Sequence, residues 1–194
     1  MSDPALAAPP RRRLADRQAD RIDALVEATV VELRHHGYEG LTVRNVAKRA
    51  GVAAATAYTY FGSKDHLVAE VFWRRLAAMP EPPIDGRQSA RTRVAAALRH
   101  LALTIASEPE LAAASTTAVL AGDPDVERLR ARIGATFDAR LADALGPDAD
   151  PAVRRALNLA LAGGLLQAGM GYFSYTDLAD RLAEVTDVVL GGRR

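Results

Sequence analysis

The chain has 194 residues, of which 49% are hydrophobic and 25% charged, with a formal net charge of +1. That is the composition of a soluble globular protein of one domain or two small ones. Without a single cysteine, a disulfide framework, thiol catalysis and a cysteine-based zinc site are excluded. No apolar run approaches the roughly 18 residues of a membrane span, the N-terminus lacks the apolar core and cleavage site of a signal peptide, and the expected location is cytoplasmic. Residues 1–75 carry 12 basic and 9 acidic side chains, against 13 and 15 in residues 76–194, a weak bias towards a basic front end.

Residues 1–16 read as a flexible basic arm: Pro4, Pro9 and Pro10 oppose regular structure, and Arg11, Arg12 and Arg13 form a cluster. Such an arm either follows phosphates into a minor groove or is a tail of solvated charge. From Arg17 to His36, the set Ile22, Leu25, Val26, Thr29, Val30 and Leu33 predicts an amphipathic helix, stopped by Gly37. His35 and His36 are adjacent, so on a helix they point about 100° apart and do not chelate one ion. No metal site and no cofactor is expected.

Thr42 is placed to N-cap a short helix whose apolar face is Val43, Val46, Ala47 and Ala50. Gly51 follows where a left-handed residue stops the helix. Val52 turns back towards the core, and a second helix of about two turns carries Ala53 to Tyr60. This is the grammar of a helix-turn-helix. Thr56, Tyr58, Thr59 and Tyr60 set hydroxyl groups along the second helix and Lys64 lies just beyond, the donors that reach phosphate oxygens and base edges. Its three leading alanines make it slim enough for a major groove. The other reading of the same residues is a helical hairpin inside an ordinary bundle.

The stretch G-Y-E-G-L-T-V-R-N-V-A-K-R-A-G-V-A-A-A-T-A-Y-T-Y-F-G-S-K-D-H-L resembles the DNA-binding segment of TetR-family transcriptional regulators, over roughly residues 18–78. The resemblance implies a homodimeric, ligand-responsive repressor, or less often an activator, acting on double-stranded DNA. It places Thr42, Arg44, Thr56, Tyr58, Tyr60 and Lys64 at the family's DNA-contact positions, with Ala54 and Thr59 beside them. The chain departs from the pattern at Ala53, where the family usually has Ser; a lost N-cap costs about 1 kcal/mol. Ala54 and Ala55 replace a polar residue or Lys and a Gly, and Ala57 replaces the usual Leu.

Ser63 caps a further helix from Lys64 to about Met79, with Leu67, Val68, Val71, Phe72, Trp73 and Leu76 as its apolar members. M-P-E-P-P-I-D-G, from Met79 to Gly86, is a linker. Helices follow around Val94 to Ile105 and Leu111 to Leu120, then from Pro124 to Leu145 and from Pro151 to about Phe173. A last helix is capped by Thr176. No strand pattern appears. The expected fold is all-α: an arm (1–16), a three-helix head (17–62) and a helical bundle for ligand binding and dimerisation (63–194).

Ala160, Gly164, Ala168 and Gly171 form a stripe of small residues, suited either to the dimer interface of the last two helices that the resemblance implies or to a tight contact within the chain. Two-fold symmetry would make the operator a palindrome read at about 34–36 Å spacing. Trp73, Leu101, Phe137, Gln167, Met170 and Phe173 are the candidate lining of an effector pocket, and few charges at buried positions point to a neutral or hydrophobic small molecule. His66 and His100 read as surface or interface residues. With four scattered histidines and no phosphate loop, no catalytic constellation assembles, so an enzyme is not expected. The alternative is a helical small-molecule-binding protein with weak or lost DNA binding.

Overall fold

A computed structural model describes residues 10–82 and 85–191, with the backbone alone for residues 10–16. Every regular element among them is an α-helix: α1 Pro10–Gly40, α2 Val43–Arg49, α3 Ala54–Tyr60, α4 Lys64–Ala78, α5 Ala90–Ala106, α6 Pro109–Ala118, α7 Pro124–Leu145, α8 Pro151–Gly169 and α9 Tyr175–Gly191. The linker of prolines after Met79 is non-helical where described, and its Pro83 and Ile84 lie outside the described residues.

Local chemistry sets most boundaries. The Ser63 and Ser89 hydroxyls accept from the backbone N–H of His66 and Thr92 at 3.0 and 3.1 Å, and Asp123 and Asp150 do the same for α7 and α8, each satisfying an orphan donor of a first turn. α1 begins earlier than the expected arm allows. Pro10 opens it, because at the first helical position a proline loses no hydrogen bond. The helix thus takes in Arg11, Arg12 and Arg13, whose side chains lie outside the described residues, as do residues 1–9. Gly37, at φ 63°, breaks the long run of α1, as its lack of a Cβ permits.

Two further boundaries differ from expectation. α8 stops at Gly169 rather than near Phe173, and Gly171 turns the chain at φ 82°. α9 is capped by Ser174 rather than Thr176. The Ser174 hydroxyl accepts from the Asp177 N–H at 3.0 Å and the Asp177 carboxylate accepts from the Ser174 N–H at 3.1 Å, a reciprocal capping box.

Packing organises the helices into two main cores. In the first, Leu25, Val30 and Leu33 of α1 meet Val43, Val46 and Ala47 of α2 and Ala57 of α3, and Leu67, Val68 and Val71 of α4 join them. Leu111, Ala114 and Ala118 of α6 belong to the same cluster, so the division expected at residues 62 and 63 is not a gap in the packing. The second core gathers Leu98 and Leu101 of α5, Phe137 and Leu141 of α7, Leu157 and Leu161 of α8, and Leu178 and Leu182 of α9, with Ala112 of α6. α6 therefore belongs to both.

Two members of the small-residue stripe, Gly164 and Ala168, are packed within the chain. A Cβ on Gly164 would lie 2.5 Å from Leu178 Cδ1, and one on Gly169 would fall on the Thr116 side chain. Ala168 is buried. Glycine at 164 and at 169, the latter outside the expected stripe, lets α9 and α6 approach, whereas Gly171 is exposed in the turn after α8.

Candidate nucleic-acid interface and ligand cavity

The turn between α2 and α3 follows from the residues at its corners. Thr42 Oγ1 accepts from the Asn45 N–H at 3.1 Å, and Gly51 takes φ 66°. Ala53 makes no side-chain cap to α3. Ala57 is fully buried on the inner side of α3, where an alanine lets α3 lie close to α2 in the shared core.

The outer face of this hairpin presents Thr42, Arg44, Asn45 and Lys48 from α2 and Ala55, Tyr58 and Thr59 from α3. Tyr58 is 50% exposed, a large exposure for an aromatic ring with no core to fill. The Thr42 hydroxyl is occupied by its cap, and Thr59 Oγ1 donates to the Ala55 carbonyl at 3.0 Å. Ala54, Thr56 and Tyr60 are half-buried. Thr56 lines a groove with Asp20, Arg21 and Ala24 of α1, and Tyr60 leans on the head core.

Lys64 does not extend freely. Its Nζ donates to the Tyr38 carbonyl at 3.2 Å and stands 4.1 Å from the centroid of the Tyr38 ring. The Tyr38 hydroxyl donates to the Asp65 carboxylate, and burial, then that bond, pushes the phenol well above its ordinary range. Lys64, Tyr38 and Asp65 thus tie the start of α4 to the turn before α2. Arg49 is similarly engaged, donating at 2.5 Å to the buried carboxylate of Glu32. Arg44 and Lys48 have no acidic partner among the described residues. Lys48 was not singled out from the sequence. Its signal was available, because it lies four residues after Arg44 on the side of α2 opposite Val43, Val46 and Ala47.

The head is braced to the body at the base of α4. Arg75 reaches Glu27 of α1 and Glu108 before α6, both at 3.1 Å, and Arg74 meets Asp23 at 2.8 Å. The Ser63 hydroxyl donates to Asp123 at 2.8 Å; that bond, with the backbone N–H of Asp125, holds the Asp123 carboxyl below the usual carboxylate range. His66 packs edge-on against Phe61, with ring centroids 5.5 Å apart, and His100 Nε2 lies 2.9 Å from the Pro80 carbonyl. No cluster of three or more metal-ligating side chains occurs among the described residues, and none of their helices is long and apolar enough to cross a membrane.

Beneath α6 lies a cavity of ≈ 470 Å³, within the range of sites for drug-sized molecules. Phe72, Ile105, Ile133, Phe137, Leu165 and Leu166 give it an apolar wall; Ser115, Thr116, Tyr175 and Arg130 are its polar members. Tyr175 Oη and Thr116 Oγ1 are 3.2 Å apart, and burial raises the Tyr175 pKa, so this phenol is neutral.

Of the side chains expected to line a pocket, Phe137 does so. Leu101 is buried in the body core instead. Trp73 turns aside beneath the Arg132 guanidinium, 3.7 Å from its ring centroid, and its neighbour Phe72 points inward, one helical step of about 100° away. Gln167 and Met170 are exposed, and Phe173 is covered by Arg181 at 4.3 Å. Because Gly164 and Ala168 turn towards α9 and the core, the cavity side of α8 is Gly163 and Leu166.

Residues 25–71 match the family described as bacterial regulatory proteins, tetR family. An uncharacterised HTH-type transcriptional regulator of Mycobacterium tuberculosis strain H37Rv is 43% identical to the chain, over 99% of this chain and 95% of its own length. The HTH-type transcriptional repressor KstR of Rhodococcus jostii strain RHA1 is 29% identical, over 90% and 84%. The crystal structure of a TetR transcriptional regulator from Rhodococcus sp. RHA1 has a TM-score of 0.73 and covers 92% of this chain and 99% of its own, at 23% identity, which is a likeness of fold. These relatives are regulators and not enzymes, and the match falls on the helices whose outer face carries Arg44, Lys48 and Tyr58. The chain belongs to the TetR family of helix-turn-helix transcriptional regulators.

Proposed function

We propose that the protein is a cytoplasmic homodimeric repressor that leaves a palindromic operator when a small, mostly apolar effector fills the cavity beneath α6. The observation that carries this reading is the double membership of α6. Leu111, Ala114 and Ala118 pack into the head core, while Ala112, Ser115, Thr116 and Val119 face the cavity. An occupant that shifts α6 therefore moves part of the head's own core. A preference of about 2–3 kcal/mol for the non-binding arrangement is enough to change operator occupancy about 30- to 150-fold.

In this reading α3 enters the major groove with Tyr58 outermost, Ala54, Thr56 and Thr59 facing the bases, and Thr42, Arg44, Lys48, Tyr60 and Lys64 at or near the phosphates. The repressor sign is that of the relative KstR. Dimerisation is supported by large apolar side chains left exposed on α9 and the turn before it, outside the cavity: Met170, Tyr172 and Val188. Apolar patches of this kind mark association surfaces, and two linked heads gain affinity through effective concentration.

Fluorescence anisotropy against the DNA flanking its coding region, combined with sedimentation, tests the proposal. The expected result is salt-sensitive, sequence-selective binding by a particle of twice the chain mass. A single subunit at micromolar concentration, or small-molecule binding without any DNA affinity, would instead make it a helical binding protein, the outcome favoured by the uncapped, alanine-rich start of α3.

A further inference from the structure

Among the described residues, Arg130 is the one charged side chain that lines the cavity. Its Nε donates to the Val119 carbonyl at 2.7 Å and its Nη2 to the Ala121 carbonyl at 2.8 Å. Those two bonds use two of the five guanidinium N–H groups, and no carboxylate pairs with it among the described residues. The other polar side chains of the cavity are already engaged with protein partners. Ser115 Oγ donates to the Leu111 carbonyl at 2.6 Å and Thr116 Oγ1 to the Ala112 carbonyl at 3.2 Å. With its proton so placed, Thr116 accepts from the Tyr175 hydroxyl at 3.2 Å. An anion needs donors and a countercharge, and of these four side chains the guanidinium alone is positively charged and has N–H groups left over from its two carbonyl bonds.

We propose that the effector is an amphiphilic anion, with an apolar body among Phe72, Ile133, Phe137 and Leu166 and a carboxylate received by Arg130. This keeps the hydrophobic body of the neutral or hydrophobic effector expected from the sequence, adds a charged head, and rests on the reading of the cavity as the effector site. It also gives the ligand a handle on α6. The guanidinium that would meet the carboxylate is the one that closes the C-terminal end of α6 through Val119 and Ala121. An oxyanion that draws Arg130 towards the cavity competes with those carbonyls and loosens the helix shared with the head.

Calorimetric titration of the full chain at neutral pH and low salt with decanoate and with 1-decanol tests the assignment. The two probes share an alkyl body and differ in the head. The wild type is expected to bind decanoate about tenfold more tightly than decanol, a modest figure appropriate to a charge pair at an exposed rim. Arg130→Gln should bring decanoate down to the level of decanol and leave decanol within about twofold. Arg130→Lys should keep most of the preference, and serves where the glutamine variant, lacking the closure of α6, does not fold. Gly163→Leu, at a position where an added Cβ meets nothing within 4 Å, should weaken both probes together by filling the cavity. Equal or tighter binding of decanol, or a preference that survives Arg130→Gln, overturns the role of Arg130. If neither probe binds the wild type, or Gly163→Leu leaves both unaffected, the cavity reading itself fails.

Discussion

Arg44 and Lys48 are exposed cations without a counter-charge among the described residues, whereas Lys64, for which the resemblance implies a DNA contact, is held on Tyr38. The two classes should respond differently. Arg44→Ala and Lys48→Ala are expected to weaken binding to all duplexes about equally and to lower the salt slope by about one each, with thermal stability unchanged. Lys64→Ala should lower both operator affinity and the melting temperature, because it also unties α4 from the turn before α2. Thr56→Ala should alter sequence preference; a uniform loss across operators, measured by anisotropy, would remove it from base reading. Asp123 gives a pH signature. Its folded-state pKa is lowered, first by the Ser63 hydroxyl and then by the Asp125 N–H, so its contribution is present above the unfolded value of about 3.9 and is lost as pH falls through the folded one. Asp123→Ala should cost about 1 kcal/mol at pH 7, and that difference should shrink at pH 3 in urea denaturation. Thr42, Gly51 and Ser63 were legible because a cap or a turn is decided within three or four residues. The partner of Lys64 was not, since Tyr38 is 26 residues away.

α8 shows how one residue type answers to its neighbours. Gly163 meets no atom within 4 Å of an added Cβ, Gly164 meets the tip of Leu178 at 2.5 Å, and Gly169 meets Thr116 Cβ and Cγ2 at 2.6 Å. Gly163→Ala should stabilise the protein by about 0.5–1 kcal/mol through backbone entropy. At Gly164 the same change should cost about 1 kcal/mol, because the end of Leu178 that it meets is fully buried in the body core and must be displaced there. Gly169→Ala should cost about 1–3 kcal/mol, because a β-branched side chain that is stiff at χ1 cannot move aside cheaply. Melting curves of the three variants check the order. α9 carries a related lesson. Ser174 and Asp177 stand at the spacing of a capping box, and the signal was in the sequence, yet Thr176 is an equally good cap by type. Only the backbone turn at Gly171 decides which hydroxyl meets the free N–H groups.

For the molecule as a whole, the proposed dimer makes Val188, 77% exposed on α9, a sensitive position. Val188→Arg is expected to give a monomer in sedimentation with folding intact, and to weaken operator binding by 10²-fold or more through lost effective concentration. A dimer that survives the change would move the interface elsewhere. The sequence by itself determined the helical class, the turn around Gly51, the capped start of α4 and the family, because periodicity and capping are short-range and the matching stretch is contiguous. It left open which side of α8 faces inward, that Phe72 rather than Trp73 meets the cavity, and that Arg130 stands at its rim. Those depend on how helices separated by tens of residues rotate against one another; for α8, close packing between Gly164 and Leu178 and between Gly169 and Thr116 limits that rotation. No spacing along a single helix contains that information, since each face is chosen by its neighbours.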